Sequence, residues 1–345
     1  MNNNRLISID LAKNTFQVCG LNQANKVNFN RKITRAKLTA FIQQQESTLI
    51  AMEACGSSNY WGRQFQSMGH QVKLVPAQHV KPFVKGNKND HNDALAIAEA
   101  ALRPNIKFVP IKSTQQQDLQ MVHRIRQHYV KQKNAVANQL RAYLLEYGIV
   151  IPKQIHYLIK KVPELCALEN NNFSSLAMEL IQELYSELLE LQDKITELNQ
   201  QIAHQNSQNE ICKQLQKLPG IGPLIASALY SAVGNGSQFT KGRQMSAWIG
   251  LTPAHFGTGG KNTNVDTTKK GDQYLRTLII HGARTVVTWS ANKTDPLSLW
   301  IQRLVAKRGK RKTYVALANK LTRAAWHVLR GESFNMEKIT ARQSI

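Results

Sequence analysis

Four acidic residues near the start of the chain are spaced so that their carboxylates could meet. Asp10 ends the apolar run 6–9, and Glu53 follows the apolar run 49–52. Asp90 and Asp93 open a helical pattern, and their spacing of three puts them on one helix face. Ligands of α/β sheets commonly bind at strand ends. We therefore predict a carboxylate site that serves phosphodiester chemistry, with two Mg²⁺ ions about 3.5–4 Å apart.

Each of these acids, taken singly, also has a structural explanation. Asp10 can start a turn, and Asp90 and Asp93 can stabilise the positive end of a helix dipole. Their combination favours a functional site, because the first 100 residues hold six acids and four of them occupy these positions. An actin-like or sugar-kinase ATPase would also carry an aspartate after its first strand. Segment 10–15 lacks the glycine of their phosphate loop and the chain has no P-loop motif, so nucleotide hydrolysis is disfavoured.

A second group of candidate residues lies in the glycine-rich second half. Residues 218–223, Leu-Pro-Gly-Ile-Gly-Pro, precede an apolar helical run and have the form of a helix-hairpin-helix turn. Gly220 and Gly222 would let the backbone approach a phosphate near a helix N-terminus. A connection between helices without a ligand is the alternative.

Thr258 is a candidate nucleophile, because its hydroxyl lies among glycines and lysines where a phosphate could reach it. The alternative is that it only donates a hydrogen bond from a loop. Basic residues near these motifs are candidate phosphate contacts, with a solvated surface run as the alternative for the last five. They are Lys88, Lys261, Lys269, Lys270, Arg276, Lys307, Arg308, Lys310, Arg311 and Lys312.

The elements that must position these residues follow from hydrophobic periodicity. Strands are predicted at 6–9, 16–21, 26–30, 49–52, 72–75 and 107–109, with helices at 36–44, 59–68 and 90–102. This alternation predicts an α/β domain with a mixed sheet over residues 1–112. A long amphipathic helix is predicted from about 115 to 147, and short helices joined by glycine-rich turns over 211–330.

Charge divides the chain into three parts. Residues 1–163 carry 23 basic and 8 acidic side chains, residues 164–210 carry 1 and 9, and residues 211–345 carry 21 and 5. The acidic part repeats apolar residues with the rhythm of a coiled coil, at Leu184, Leu188, Leu191, Ile195, Leu198 and Ile202. It should contact protein, either as a hairpin with an earlier helix or as a dimer seam. We predict a linker and oligomerisation segment at 113–210 and a mainly α C-terminal domain at 211–335.

Overall composition excludes several classes of protein. The chain has 345 residues, 42% of them hydrophobic, which is enough for two or three domains with cores. A net charge of +23 points to a polyanionic partner, and nucleic acid is favoured over an acidic membrane surface. Without a spanning segment, a signal peptide or paired cysteines, we expect a cytoplasmic protein with four reduced thiols.

Five short motifs, in order along nearly the whole chain, resemble the DEDD transposases and site-specific recombinases of insertion sequences that move through a circular intermediate. This family includes pilin-gene invertases. The motifs are Ile-Asp-Leu-Ala-Lys at 9–13, Met-Glu-Ala-Cys-Gly at 52–56, Lys-Asn-Asp-His-Asn-Asp-Ala at 88–94, Pro-Gly-Ile-Gly at 219–222 and Gly-Leu-Thr-Pro at 250–253.

The resemblance implies an RNase H-like first domain in which Asp10, Glu53, Asp90 and Asp93 hold Mg²⁺. It also implies a transposase domain attached through the coiled coil, with a serine nucleophile beyond the Leu-Thr-Pro motif. The composite site would join the acids of one protomer to the serine of another, and some members are guided by a structured RNA. Here the serine position falls on Thr258, whose methyl branch crowds the oxygen. Thr263, Thr267 and Thr268 are lower-ranked substitutes.

We therefore expect a DNA transposase or recombinase that acts as a homo-oligomer, a dimer or a tetramer, with a guide RNA as a further partner. Two alternatives stay open. One is a resolvase-like nuclease that cuts branched DNA through the carboxylates, without a protein nucleophile. The other is an inactive relative that keeps only its nucleic-acid-binding surface.

Overall fold

The computed structural model describes residues 4–86, 89–168, 173–258 and 261–332, with only the backbone described at 255–258 and 261–266. The chain divides into two compact units. The first holds the residues up to Gln116 together with Val233–Thr240, and the second holds Gln117–Ala232 and the residues from Lys241 onward. The predicted domain limits at 112, 210 and 335 stay predictions.

The first unit is built on a mixed five-stranded sheet. Its strands are β1 (Leu6–Asp10), β2 (Thr15–Leu21), β3 (Val27–Thr34), β4 (Leu49–Glu53) and β5 (Gln71–Val75), in the order β3-β2-β1-β4-β5. The first three strands pair antiparallel, whereas β4 is parallel to both β1 and β5. The predicted mixed sheet is thus confirmed.

Helices cover both faces of this sheet. They are α1 (Arg35–Gln43), α2 (Ser58–Ser67), α3 (Ala77–Val80), a 3-10 turn at Lys81–Phe83, and α4 (Asp90–Ala101). Helices α1 and α2 pack on the face that carries Ile7 and Ile9, and α4 packs on the face that carries Leu6 and Ala51. Strand β1 is buried on both faces, which explains its almost continuous apolar sequence.

The sixth predicted strand, at 107–109, is wrong. Only an isolated bridge between Leu74 and Val109 forms there. The three residues Lys-Phe-Val resemble a strand locally, but a single bridge to β5 gives them no ladder. The sheet therefore ends at β5.

The second unit is mainly helical. Its elements are α5 (Thr114–Glu146), which begins just before the unit boundary, α6 (Ile155–Cys166), α7 (Ser175–Gln208), α8 (Glu210–Gln216), α9 (Pro223–Val233), α10 (Gly242–Ile249), β6 (Pro253–Thr258), β7 (Lys261–Thr267), α11 (Gln273–Trp289) and α12 (Pro296–Leu329). The prediction of only short helices after 211 is wrong at α12, which has 34 residues and a kink at Gly309. The antiparallel β6–β7 pair, within a stretch of high glycine content, was not predicted.

The apolar stripe of α7 is used within the chain. Ile181, Leu188 and Leu191 share one buried cluster with Leu140 of α5 and Leu158 of α6. Farther along, Arg126 of α5 donates to the side-chain oxygen of Asn199 at 2.6 Å. Of the two alternatives for this stripe, the hairpin with an earlier helix is the one that these contacts support.

Gly220 and Gly282 are required by close packing of the 218–222 turn against α11. A Cβ on Gly282 would lie 2.1 Å from the carbonyl oxygen of Gly220, and a Cβ on Gly220 would lie 2.6 Å from that of Gly282. Gly220 also has a φ of +75°. A Cβ on Gly222, in contrast, would meet no atom within 4 Å. The glycine spacing therefore has a packing function at 220, whereas the space beside 222 is open.

We expect Gly282→Ala to destabilise the protein. An alanine normally stabilises a helix interior by about 1 kcal/mol relative to glycine. Here the clash with the Gly220 carbonyl should reverse the sign and lower the free energy of unfolding by about 1–3 kcal/mol. The measurement is the urea midpoint, with Gly222→Ala as the matched control, which should stay close to wild type. A Gly282→Ala protein as stable as wild type would contradict this packing.

Candidate functional site

Asp10 and Glu53 lie side by side at the ends of two neighbouring parallel strands. Ile9 of β1 pairs with Met52 of β4, so the next residue of each strand is one of the two acids. Side chains alternate between faces, and Ser8 and Ala51 contact α4. Both acids therefore belong to the face that α4 covers, and both lie at strand ends, as predicted. Neither side chain is fully buried.

Electrostatics also links these two acids. Cys55, two residues beyond Glu53, has a thiol whose pKa is raised by burial, then by the charges of Glu53 and Asp10. A carboxylate raises a thiol pKa because it repels the thiolate. Two negative side chains thus act on one point at the end of β1 and β4.

Helix α4 delivers its acidic first turn to the same face. The hydroxyl of Ser8 donates to the carbonyl of Ala94 at 2.6 Å, and the side chain of Asn30 donates to the carbonyl of His91 at 3.0 Å. The helix begins under an Asn89 cap, which accepts from the Asn92 amide at 2.8 Å. These contacts fix the N-terminal turn, with Asp90 and Asp93, over strands β1 to β3.

A lysine that the motifs did not indicate enters the site. The Lys32 ammonium lies 3.0 Å from a carboxylate oxygen of Asp90, and both side chains are exposed. In the sheet, Lys32 pairs with Gln17, which pairs in turn with Asp10. Asp10 and Lys32, the partner of Asp90, thus lie in one cross-strand row of the sheet, with Gln17 between them. The signal in the sequence is only that Lys32 lies two residues beyond Asn30 on one strand face.

The four acids do not form an assembled metal cage. Within the described residues, no group of three or more His, Cys, Asp or Glu side chains is close enough to hold a metal ion. Asp10 and Glu53 are brought together, and Asp90 and Asp93 share the same face, but Asp90 is turned to Lys32. Their donor chemistry nevertheless suits a hard cation, because all four supply carboxylate oxygens.

In the second unit, the loop after β7 packs on the end of α10. A Cβ on Gly250 would lie 2.1 Å from the Lys270 carbonyl oxygen, and one on Gly271 would lie 1.8 Å from the Trp248 carbonyl oxygen. Arg276 donates to the Ile249 carbonyl at 3.0 Å, so it also caps α10. Lys269 and Lys270 are exposed on this loop.

The Leu-Thr-Pro motif leads directly into the β6–β7 pair. The amide of Thr268 donates to the Thr252 carbonyl at 2.9 Å, which closes the base of that pair. The Thr268 hydroxyl is buried and has no hydrogen-bond partner within the described chain. Thr258 is the last residue of β6 and pairs with Lys261 along the backbone, while their side chains and that of Thr263 lie outside what is described.

The remaining basic candidates divide into two groups. The cluster at Gly309 lies at the kink of α12, and its five basic side chains are exposed: Lys307, Arg308, Lys310, Arg311 and Lys312. Lys88 lies outside the described residues.

Sequence reasoning missed a buried polar network in the second unit. His123 of α5 is 3% exposed and lies 3.0 Å from the Tyr274 hydroxyl and 2.9 Å from the Ser227 hydroxyl. Each imidazole nitrogen thus has a hydroxyl as its hydrogen-bond partner. The pKa of His123 is lowered to about 4, first by burial and then by the charge of Arg126. A neutral histidine therefore joins α5, α9 and α11.

This network predicts acid sensitivity. Between pH 6.5 and about 4 the unfolded chain binds a proton on His123 that the folded chain does not. The contribution of neutral His123 to the free energy of unfolding is therefore fully present above pH 6.5. It falls as the pH drops, by up to about 3 kcal/mol. His123→Gln keeps a donor and an acceptor but cannot titrate. Urea midpoints from pH 7.5 to 4.5 should show wild type losing its advantage over this variant; parallel curves would contradict the assignment.

Comparison with known proteins agrees with the resemblance in the motifs. Residues 7–149 match a family described as the DEDD transposase of IS110, and residues 212–296 match the transposase IS116/IS110/IS902 family. The chain is 42% identical over 95% of its length to a probable family 20 transposase of Pseudomonas aeruginosa, covering 97% of that protein. It is 38% identical over 94% of its length to the transposase for insertion sequence element IS1111A of Coxiella burnetii, covering 89% of that protein.

A more distant relative is the pilin gene-inverting protein of Moraxella bovis, 24% identical over 94% of this chain and 95% of that protein. The chain thus belongs to the IS116/IS110/IS902 family of transposases. Its described helices include none that is long and apolar enough to cross a membrane.

Proposed function

We propose that this protein is the transposase of an insertion sequence, which excises and inserts DNA by Mg²⁺-dependent phosphodiester exchange. The observation that carries the proposal is the adjacency of Asp10 and Glu53 at the ends of β1 and β4, on the face that also carries the first turn of α4. The relatives' names, which include transposases and a gene-inverting protein, support the same reaction class. In this proposal the first domain is RNase H-like.

The metal, proposed as two Mg²⁺ ions, would be held by Asp10, Glu53, Asp90 and Asp93. When bound, Mg²⁺ supplies charge stabilisation for the attacking and leaving oxygens of a phosphodiester. The Lys32–Asp90 pair is compatible with this role, because exposed ion pairs contribute only about 0–1 kcal/mol. Asp90 can therefore exchange an ammonium for a divalent cation at small cost.

Thr258 is the proposed nucleophile. Its Oγ loses its proton and forms a bond to phosphorus, the bond from phosphorus to the leaving deoxyribose oxygen breaks, and that oxygen takes up a proton as a hydroxyl. A hydroxyl of the partner strand then attacks the threonine phosphodiester and releases Thr258. The buried position of the Thr268 hydroxyl argues against Thr268 as the nucleophile, since a nucleophile must be reached by the phosphate.

The exposed basic residues are proposed to hold phosphates of the bound nucleic acid. Lys269 and Lys270 lie on the loop that follows β7. The cluster at 307–312 adds five positive charges, which would contact phosphates of any nucleic-acid sequence. Gly220, Gly222, Lys88, Lys261 and Arg276 complete the proposed nucleic-acid contacts. The turn at 218–223 is proposed as a helix-hairpin-helix element.

Assembly and guidance belong to the same proposal. Exchange between two DNA partners needs more than one active site, so a homo-oligomer is expected. Segment 113–210 stays its proposed oligomerisation segment, through surfaces other than the part of the α7 stripe that is buried within the chain. A structured guide RNA is a further proposed partner. A protein with a net charge of +23 can bind the phosphates of such an RNA.

A resolvase-like nuclease is the second candidate, favoured by the threonine that stands at the serine position of the family motif. The test is amplification across the excised circular junction in cells that carry the gene with its native flanking DNA. A transposase yields the junction, and deletion of the gene abolishes it. A protein that cuts branched DNA in vitro but yields no junction in cells would support the nuclease instead.

A further inference from the structure

A groove of about 480 Å³ opens where α9 begins beside α11. We call it the α9–α11 groove. Gly222 and Pro223 line it from the 218–223 turn, and His281, Arg284 and Trp289 line it from α11. Its volume lies within the roughly 300–1,000 Å³ of pockets that take small organic groups. It belongs wholly to the second unit.

The groove is fixed by close packing on one side and remains open on the other. The backbones of Gly220 and Gly282 approach each other so closely that neither can carry a Cβ. Above Gly222 no atom lies within 4 Å of the Cβ position. Helix α11 buries Ile279 and Val287 in the core, and the opposite helix face points outward. A ligand could therefore enter without moving the core.

The charge of the groove is one-sided. Arg284 and His281 are exposed on its wall, and the described residues that line it include no acidic one. The sequences of α9 and α11 contain no aspartate or glutamate. Arg284 forms no ion pair with any other residue that the structure describes. This surface complements a phosphate group.

Trp289 adds an exposed aromatic ring on which a nucleic-acid base can stack. Its side chain is 70% exposed at the end of α11, although an indole is large and apolar. The backbone that follows Trp289 is held by Gln302 of α12, which donates to the carbonyls of Ser290 and Lys293 at 2.7 and 2.8 Å. An exposed aromatic face that lines the same groove as an arginine is a combination that can stack on an unpaired base while a neighbouring phosphate is held. In a duplex the base faces are covered by stacking, so this surface favours unpaired strands.

We infer that the α9–α11 groove holds an unpaired DNA strand, with Trp289 stacked on a base and Arg284 on a neighbouring phosphate. The inference rests on the proposed function, because strand exchange unpairs DNA next to the exchange site. Trp289 and Arg284 are binding residues in this assignment and take no part in the chemistry. DNA is assigned as the occupant, rather than RNA, because DNA is the substrate of every strand-exchange step.

The test is binding of the full-length protein to a labelled 20-nucleotide oligo(dT), measured by fluorescence anisotropy without Mg²⁺ at 0.2 M salt. Trp289→Ala should weaken this affinity about tenfold and leave a 20-base-pair duplex within about twofold. Trp289→Phe should retain most of the affinity. Arg284→Gln should weaken binding and reduce the salt slope by about one. Tyr157→Ala, at another exposed aromatic side chain, is the matched control and should bind like wild type.

Three results would overturn the inference. They are an unchanged oligo(dT) affinity for Trp289→Ala, an equal loss on duplex and single strand, and a larger loss on oligo(rU) than on oligo(dT). The last result would assign the groove to RNA. Because no cleavage is needed, a protein that binds oligo(dT) through Trp289 but never yields circular junctions refutes only the proposed function.

Discussion

Replacing Asp10 with asparagine is expected to reduce the yield of excised circular junctions on the order of a thousandfold, and Glu53→Gln should do the same. Both changes keep the size of the side chain and remove a charge that would hold Mg²⁺ beside the other acid. The measurement is quantitative amplification of the junction in cells that carry the native flanking DNA.

Glu46→Gln is the matched control, because this acid is exposed outside the site. DNA affinity of the Asp10 and Glu53 variants should stay within about twofold of wild type, since these acids repel phosphates rather than bind them. Junction yields that survive both substitutions would remove the strand-end acids from the mechanism.

Thr258→Ala is expected to have an equally large effect, because it removes the hydroxyl that would form the bond to phosphorus. Thr258→Ser should keep activity, since serine supplies the same oxygen without the methyl branch that stiffens χ1. The measurement is again the junction yield, with protein levels compared in the same cells.

The neighbouring hydroxyls provide the controls. Thr263→Ala, Thr267→Ala and Thr268→Ala should each retain junction formation within about threefold if Thr258 is the nucleophile. Loss of activity only in one of these three variants would move the nucleophile to that residue. Full activity of Thr258→Ala would leave the carboxylates to act without Thr258.

The acid positions could be predicted because their causes are local in the sequence. The buried runs 6–9 and 49–52 form neighbouring parallel strands, and an acid after each run must then lie at a shared edge. The first turn of α4 could likewise be predicted from the spacing of Asp90 and Asp93. In contrast, the Lys32–Asp90 pair joins residues 58 positions apart, and no local pattern specifies which cation reaches a helix start.

The errors in the second half have physical causes as well. Glycines at 257, 259 and 260 are typical of loops, which hid the β6–β7 pair. Gly309 looks like a helix end, yet α12 continues beyond it with a kink, because Leu317, Leu321 and Ala325 bury the second half of the helix. The stripe of α7 was predicted correctly, but the same apolar rhythm serves a hairpin or a dimer, so only tertiary contacts could separate them.

The Arg276 side chain illustrates a related limit. Residues in a lysine- and arginine-rich stretch were assigned to phosphates, and the structure adds a second contact for one of them, because the guanidinium of Arg276 also donates to the Ile249 carbonyl. Composition cannot separate a basic residue that caps a helix from one that faces solvent. Lys269 and Lys270 are exposed on the same loop, and their contact with phosphates stays a prediction.

The most direct test of the central claim is a search for a covalent protein–DNA adduct. Purified protein would be incubated with end-labelled DNA that carries the excised junction, with guide RNA transcribed from the flanking DNA, in Mg²⁺ or in EDTA. After denaturing electrophoresis, mass spectrometry of the adduct would identify the modified residue. We predict an adduct on Thr258 that forms in Mg²⁺ and not in EDTA, and that is absent in Asp10→Asn. Cleaved DNA without any adduct, or an adduct on another residue, would contradict the mechanism.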